Sequence, residues 1–337
     1  MLRRSFVLSL IATLVGCGKK EPSTDAAGAG SAAPAGAKLK IAVIPKGTTH
    51  EFWKSVHAGA VKASRELGVE IVWKGPLKED DLKSQIDLVQ SFTAQGVSGM
   101  VLAPLNDVAL GSSVKAAVRA KIPVVIFDSD LKGTDHTSFV ATDNKAAGKL
   151  AGERLGKLLG GKGNVVLLRY QEGSASTNNR EQGFLEGIKA FPEIKVVSDN
   201  QYGGATTESA YSASENLLLA QNAAKGNVAG IFAPNESTTF GMLLALQKAG
   251  LAGKVRFIGF DASDKLVAGV KAGEIDGLVL QNPFKMGYLA VKTMTAHLKG
   301  EKVEPRIDTG ASLVDKENME QPEMKELLKP DLKQWLD

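Results

Sequence analysis

The hydrophobic pattern of the chain alternates between short apolar runs and longer stretches whose apolar residues recur every three or four positions. Ile41 to Ile44 reads as a strand. Phe52, Val56, Ala60, Ala63 and Leu67 then share one helical face, Gly68 ends that helix, and Val69 to Trp73 returns as a strand. The βαβ pattern repeats with a helix around Leu82, Ile86, Val89 and Phe92, a strand at Met100 to Ala103, a helix from Asp107 to Ala120 and a strand from Val124 to Phe127. That last run ends abruptly in Asp128, Ser129 and Asp130. A buried parallel strand delivers polar groups to the carboxyl edge of its sheet in this way, and that edge is where open α/β sheets bind ligands.

A short run at Phe139 to Ala141 leads into Thr142, Asp143 and Asn144, and a second series follows. Helices over 145–159, 178–190, 208–223, 238–249 and 263–271 alternate with strands over 165–169, 194–198, 228–233, 255–260 and 278–281, before a last long helix over 283–299. Strands alternating with helices of this length predict parallel, doubly wound sheets. A chain of 337 residues also exceeds the roughly 250–300 at which single cores stop growing. Two α/β lobes in series, with a cleft between their facing strand ends, are the expected architecture.

Charge narrows the class little. The net +4 comes from 41 basic and 37 acidic residues spread along the chain, with no basic block or aromatic-basic interleaving to suggest nucleic acid. The N-terminus is more specific. Met1 to Arg4 is basic and Ser5 to Leu14 is apolar but too short to span a bilayer, which is the form of an export signal. It ends in Leu14, Val15, Gly16 and Cys17, a tetrad that resembles the bacterial lipobox, whose cysteine is lipidated and becomes the mature N-terminus. Cys17 is the sole cysteine, so no disulfide within the chain is expected. Residues 1–17 are therefore assigned as a lipoprotein leader and 18–38, small and polar, as a tether. Gly28, Gly30 and Ala33 in that tether match a dinucleotide-binding spacing by composition alone, with no strand before them.

Eight segments in order, PKGTTHEFWKSVHAGA, VQSFTAQGVSGMVLAP, IPVVIFDSD, ATDNKAAGKLAGE, NNREQGFLEGI, FAPNESTTFG, FIGFDAS and LQNPFKMG, resemble the periplasmic sugar-binding proteins of ABC importers, the ribose-binding kind with the type I fold. The resemblance runs from Leu39 onward. It implies two doubly wound lobes joined by three crossings, near Thr142, Gln281 and Gly310. The first lobe would be 39–142 plus 282–310 and the second 143–281 plus 311–337, with Thr142, Asp143 and Gln281 as hinge residues. It implies ligand contacts from Lys46, Phe52, Trp53 and Asp128 in the first lobe and from Arg180, Asn235, Asp261 and Gln281 in the second. Carboxylates, amides and a guanidinium suit a monosaccharide or small polyol, because each hydroxyl both donates and accepts, while aromatic walls suit the C–H faces of the ring. The implied partners are that ligand and an ABC permease, with membrane contact only through the N-terminal lipid, no cofactor or metal, and a monomeric state.

Two departures bear on the ligand. Ser129 stands where ribose binders carry an arginine, and Gly203, Gly204 and Ala205 stand where they carry an aromatic, which argues against ribose. Pro45-Lys46 with Phe127 to Asp130 is similar to the subgroup binding rhamnose or the autoinducer, although Arg180 and Glu236 differ from the autoinducer receptors. A sensing receptor that signals to a chemoreceptor or sensor kinase is the alternative output of the same fold.

Other readings compete at single positions. Asp130 reads as a turn cap or hinge residue, Asp261 as a possible N-cap of the next helix, Arg180 as a pocket-rim or surface residue near a helix start, Trp53 as core or platform, and His50 as a solvated loop histidine. Lys46, if it faces the cleft, should pair with Asp128 and hold it ionised. An enzyme is not expected: Asp128 and Asp261 imitate a glycosidase pair, but no metal spacing or nucleophile elbow accompanies them, and Gly163 replaces the hydroxyl a phosphate loop would need after Lys162. A sugar-responsive repressor would carry a helix-turn-helix where the leader and tether stand.

Overall fold

The computed structural model describes residues 38–336 except Thr134; the leader, Cys17 and the tether through residue 37 lie outside the described residues. The chain begins with β1 (Lys40–Ile44), α1 (Glu51–Leu67), β2 (Glu70–Trp73), α2 (Leu82–Gln95), β3 (Gly99–Leu102), α3 (Gly111–Arg119), β4 (Val124–Phe127) and β5 (Ser138–Ala141). It continues with α4 (Asn144–Leu158), β6 (Lys162–Arg169), α5 (Ala175–Ile188), β7 (Glu193–Tyr202), α6 (Thr207–Ala220), β8 (Gly230–Phe232), α7 (Glu236–Lys248), β9 (Arg256–Phe260), α8 (Asp264–Ala272) and β10 (Gly277–Gln281). Last come α9 (Pro283–Leu298), β11 (Arg306–Asp308), β12 (Ala311–Val314), α10 (Pro322–Leu328) and α11 (Lys333–Leu336). Among the described residues no helix is long and apolar enough to cross a membrane.

The strands form two six-stranded sheets, ordered β2-β1-β3-β4-β5-β11 and β7-β6-β8-β9-β10-β12. The first is parallel throughout. The second departs from the expected parallel sheet at one edge, where β12 pairs antiparallel with β10. Alternation along buried strands feeds two cores per sheet: Val125 and Phe127 pack toward α1 and α9, while Val124 and Ile126 pack on the opposite face with α2 and α3. The second sheet is likewise covered on both faces. The expected helix from Asp107 starts at Gly111, because Asn106 Oδ1 instead accepts from the N–H groups of Val108 and Ala109 in an Asx turn.

The chain passes between the sheets at residues 142–143, at 281–282 and, between β11 and β12, at 309–310. Thr142 ties these passages together: its hydroxyl donates to Gln281 Oε1 at 3.0 Å and lies 3.3 Å from both Thr309 Oγ1 and the Gly310 carbonyl. Asp143 caps α4 through Ala146 N–H, and its own N–H reaches Asp308. The C-terminal segment does not stay with the second sheet as expected. Leu327 and Leu328 of α10 pack on the second sheet's core, but α11 returns to the first, where Arg65 donates to the carbonyls of Gln334 and Trp335 at 2.9 and 3.2 Å. Residues 329–332 make this fourth passage beside a cavity of ≈ 880 Å³ that also touches the first turn of α1 and the turn at 261–265.

Candidate functional site

Phe127 and Phe260 end corresponding strands, the fourth in chain order of each sheet, and each is followed by an aspartate in the left-handed region: Asp128 at φ 60° and Asp261 at φ 66°. Aspartate tolerates this conformation better than most residues, and such positions in a sheet's carboxyl edge mark functional turns. Each aspartate N–H still bonds the next strand, to Val140 and Val279 carbonyls respectively, so the backbone turn is fixed while the carboxylate is freed toward the cleft.

Lys46, Phe52, Trp53, Asp128, Arg180, Asn235, Asp261 and Gln281 all line one cleft cavity of about 30 Å³ between the sheets. Lys46 is buried and sits 3.5 Å from Asp128 Oδ2. Its ammonium also crosses the cleft, donating to Ser174 and Ser176 hydroxyls at 3.1 and 3.0 Å. Lys46 faces the cleft and pairs with Asp128 as expected; burial, the larger effect, pushes the Asp128 carboxyl up, and Lys46 and Arg180 draw it down. Ser129, also buried, accepts from Ser176 N–H at 3.2 Å, a further bond between the sheets. Asp130 closes its own turn by accepting from Leu131 N–H.

Arg180 is neither a rim nor a surface residue. It lies in the second turn of α5, 2 % exposed, with its guanidinium 3.9 Å from the Phe260 ring centre. Nε donates to Asn144 Oδ1 at 2.7 Å and Nη1 to the Pro234 carbonyl at 2.9 Å, while Asp261 lies 3.9 Å away. Burial lowers its pKa, and Asp261 and Asp128 oppose that. Asp261 is not a helix cap, since Ser263 caps α8. Its carboxylate instead accepts from Gln281 Nε2 at 2.8 Å and from Glu236 N–H at 3.1 Å; burial nevertheless raises its pKa. Asn235 caps α7 in a reciprocal box with Thr238, which holds its amide at the cleft.

Trp53 turns out to be both core and cleft wall. It is 2 % exposed, meets Phe52 edge to face at 4.8 Å and Phe127 at 6.1 Å, and still borders the cavity. His50 is not solvated: its Nδ1 lies 2.7 Å from Glu79 Oε1. Burial alone would lower the His50 pKa, but Glu79, with Glu236 and Asp261 beyond it, lifts it to about 9. Glu79 shows the reverse balance, burial pushing it up and His50, Lys46 and Tyr170 bringing it down to about 2.

Glu79, Tyr170, Ser174 and Ser176 escaped the sequence reading, Glu236 entered it only as a departure from the autoinducer receptors, and all except Ser174 border the cavity. Tyr170, 1 % exposed, supplies from the second sheet an aromatic where Gly203 to Ala205 offer none. Its place directly after β6, at the carboxyl edge of the second sheet, was the available signal. Glu236 reaches across the cleft to accept from the N–H groups of Glu51 and Phe52, and burial raises its pKa to about 7. Among the described residues every fully buried side-chain nitrogen or oxygen of this cleft has a protein partner. The arrangement offers donors, acceptors and aromatic rings on both banks, and its groups bond each other across the gap.

Comparison with known proteins agrees with this geometry. The sequence model of the periplasmic binding protein domain matches residues 41–302. The ribose import binding protein of Haemophilus influenzae is 31 % identical over 280 residues, 83 % of this chain and 92 % of that protein. A carbohydrate transporter solute binding protein from Agrobacterium radiobacter, solved with D-arabinose, superposes with TM-score 0.82 at 35 % identity, covering 87 % of this chain and 99 % of that one. A solute binding protein from Agrobacterium vitis, solved with D-fucose, gives TM-score 0.82 at 36 % identity over 86 % and 100 %. All three are named as binding proteins rather than enzymes. Because the sequence match takes in β1 to β10 and the cleft residues between the sheets, the chain belongs to the periplasmic binding protein family.

Proposed function

We propose that this protein captures a monosaccharide or similar small polyol in the interlobe cleft and presents it, chemically unchanged, to an ABC permease. The observation that carries this reading is the convergence of Lys46, Asp128, Arg180, Asn235, Asp261 and Gln281 with Phe52 and Trp53 on one cavity. Hydroxyls of a sugar take over bonds these groups make to one another, each acting as donor to a carboxylate and acceptor from a cation or amide. The named ligands of the relatives, ribose, D-arabinose and D-fucose, support the substrate class. Ser129 in place of an arginine favours a ligand other than ribose.

The lobes are 39–142 with 282–310 and 143–281 with 311–328, α11 lying back on the first, and they close by rotation about Thr142, Asp143 and Gln281. Export follows from the family, and anchoring by a lipid on Cys17 follows from the lipobox-like tetrad; the protein acts as a monomer. Mass spectrometry of the mature N-terminus tests the anchor. A thermal-shift screen over pentoses, hexoses, deoxyhexoses, polyols and autoinducer tests the ligand. A compound at 100 times its dissociation constant adds about 2.7 kcal/mol of stability, and a screen in which no sugar or polyol raises the melting point overturns the reading.

A further inference from the structure

Glu79 lies in the turn between β2 and α2, is 7 % exposed, and gathers bonds from both banks of the cleft. Its Oε1 accepts from Trp53 Nε1 at 2.7 Å and meets His50 Nδ1 at 2.7 Å. Its Oε2 accepts from the Tyr170 hydroxyl at 2.6 Å, and its backbone carbonyl accepts from Gln171 Nε2 at 3.0 Å. Room for the side chain is made by Gly47, where an added Cβ would stand 2.9 Å from Glu79 Cγ. An ionised carboxylate only accepts, so it can serve these donors at once.

We propose that Glu79 is the positioning residue of the sugar site, fixing the Trp53 wall and the His50 donor and, through Tyr170, joining both to lobe closure. The inference rests on the reading of the cleft as a sugar site, but its central element is independent of any ligand. With Nδ1–H held by Glu79 and the ring protonated as an imidazolium, the other ring nitrogen of His50 also presents an N–H from the cleft rim. The indole plane is set by a bond at its far edge, which leaves its face to a sugar ring. A glutamine cannot reproduce this, because its single carbonyl oxygen replaces two acceptors and its NH₂ faces donors. The charged groups facing His50 are Glu79, Glu236 and Asp261, and Lys46 also faces Glu79.

The test is an NMR titration of the His50 ring in full-length protein without sugar, assigned with a His50→Gln variant, for wild type, Glu79→Gln and Tyr170→Phe. Calorimetry with D-arabinose, D-fucose, D-allose and xylitol runs beside it. Wild-type His50 titrates near 9, and Glu79→Gln brings it to 6.5 or lower as burial takes over. Tyr170→Phe leaves the His50 titration in place and weakens sugar binding about tenfold or more, as expected for a hydrogen bond to a charged group. If Glu79→Gln does not fold, Glu79→Asp keeps the charge, withdraws it from Nδ1 and gives an intermediate midpoint. A His50 midpoint unchanged in whichever Glu79 variant folds overturns the proposal. Failure of all four compounds to bind wild type counts against the sugar reading instead, and the His50 titration still decides the role of Glu79.

Discussion

Glu236, on the second lobe's bank of the cleft, accepts a hydrogen bond from the Phe52 N–H of the first lobe at 3.2 Å. With the Glu51 N–H at 3.3 Å, this makes it the N-terminal cap of α1, whose own cap residue His50 makes no side-chain cap bond because its ring is engaged by Glu79. An N-cap contributes about 0.5–2 kcal/mol, and the helix dipole favours an anion there. Because the cap comes from the opposite lobe, its loss is felt in closure. Glu236→Ala is expected to weaken sugar affinity about 2- to 30-fold with little change in melting temperature. Calorimetry paired with thermal melts checks this, and a lowered melting point with unchanged affinity would contradict it.

The cleft also sets a pH dependence. His50 is raised to about 9 from 6.5, so its contribution to stability is complete below 6.5 and is lost as pH rises through 9. Glu236, raised to about 7 from 4.5, contributes fully below 4.5 and loses its contribution as pH rises through 7. Glu79, lowered to about 2, acts in the opposite sense: its contribution holds above 4.5 and is lost as pH falls through 2. Melting temperature should therefore decline between pH 6.5 and 9, and His50→Gln should flatten that decline. A decline of equal slope in the variant would refute the assignment.

Arg180 depends on a glycine it does not touch through its side chain. A Cβ on Gly148 of α4 would fall 1.9 Å from the Arg180 carbonyl oxygen, so the two helices cross as closely as they do only because residue 148 is glycine. Gly148→Ala must push α5 outward and carry the guanidinium from Asn144 and Asp261. Overpacking of this kind costs about 1–3 kcal/mol. Gly59→Ala makes the same kind of clash, with the Phe284 carbonyl at 1.9 Å in the α1–α9 crossing. Both variants should lower the melting point, and Gly148→Ala alone should displace Arg180; crystal structures of the two distinguish them.

Lys46 serves Asp128 within its own lobe and two serines of the other. Lys46→Met keeps the length and removes the charge, leaving burial to act on Asp128 with less opposition. Sugar affinity should fall about 10- to 150-fold, in keeping with hydrogen bonds from a charged donor. The loss should grow with pH, because a carboxyl of raised pKa costs more to hold buried once ionised. A titration calorimeter run at pH 5.5 and 8 reads both effects.

Much of this site is legible in the sequence. The apolar runs ending in Asp128 and near Gln281 announced strand ends, and the strand ends of an open α/β sheet are where ligand groups gather. What sequence periodicity does not carry is partnership. Glu79 sits in a turn with no apolar rhythm around it, and only the fold brings it to Tyr170, 91 positions away. His50 looked solvated because its charge partner lies 29 positions later, and Arg180 looked exposed because two adjacent asparagines make its neighbourhood appear polar. The antiparallel β12 and the return of α11 follow the last long helix, where short segments lack the repeated βαβ pattern that made the rest readable.

The fourth passage, from α10 on one lobe to α11 on the other, places a strap beside the mouth of the cleft, anchored by Leu327 and Leu328 at one end and by Arg65 at the other. If the lobes swing apart about the proposed hinge, they must stretch or unbuckle it, and it would then act in parallel with the hinge as a restoring spring. A pull on the chain near Trp335 is therefore a pull on the lip of the cleft itself.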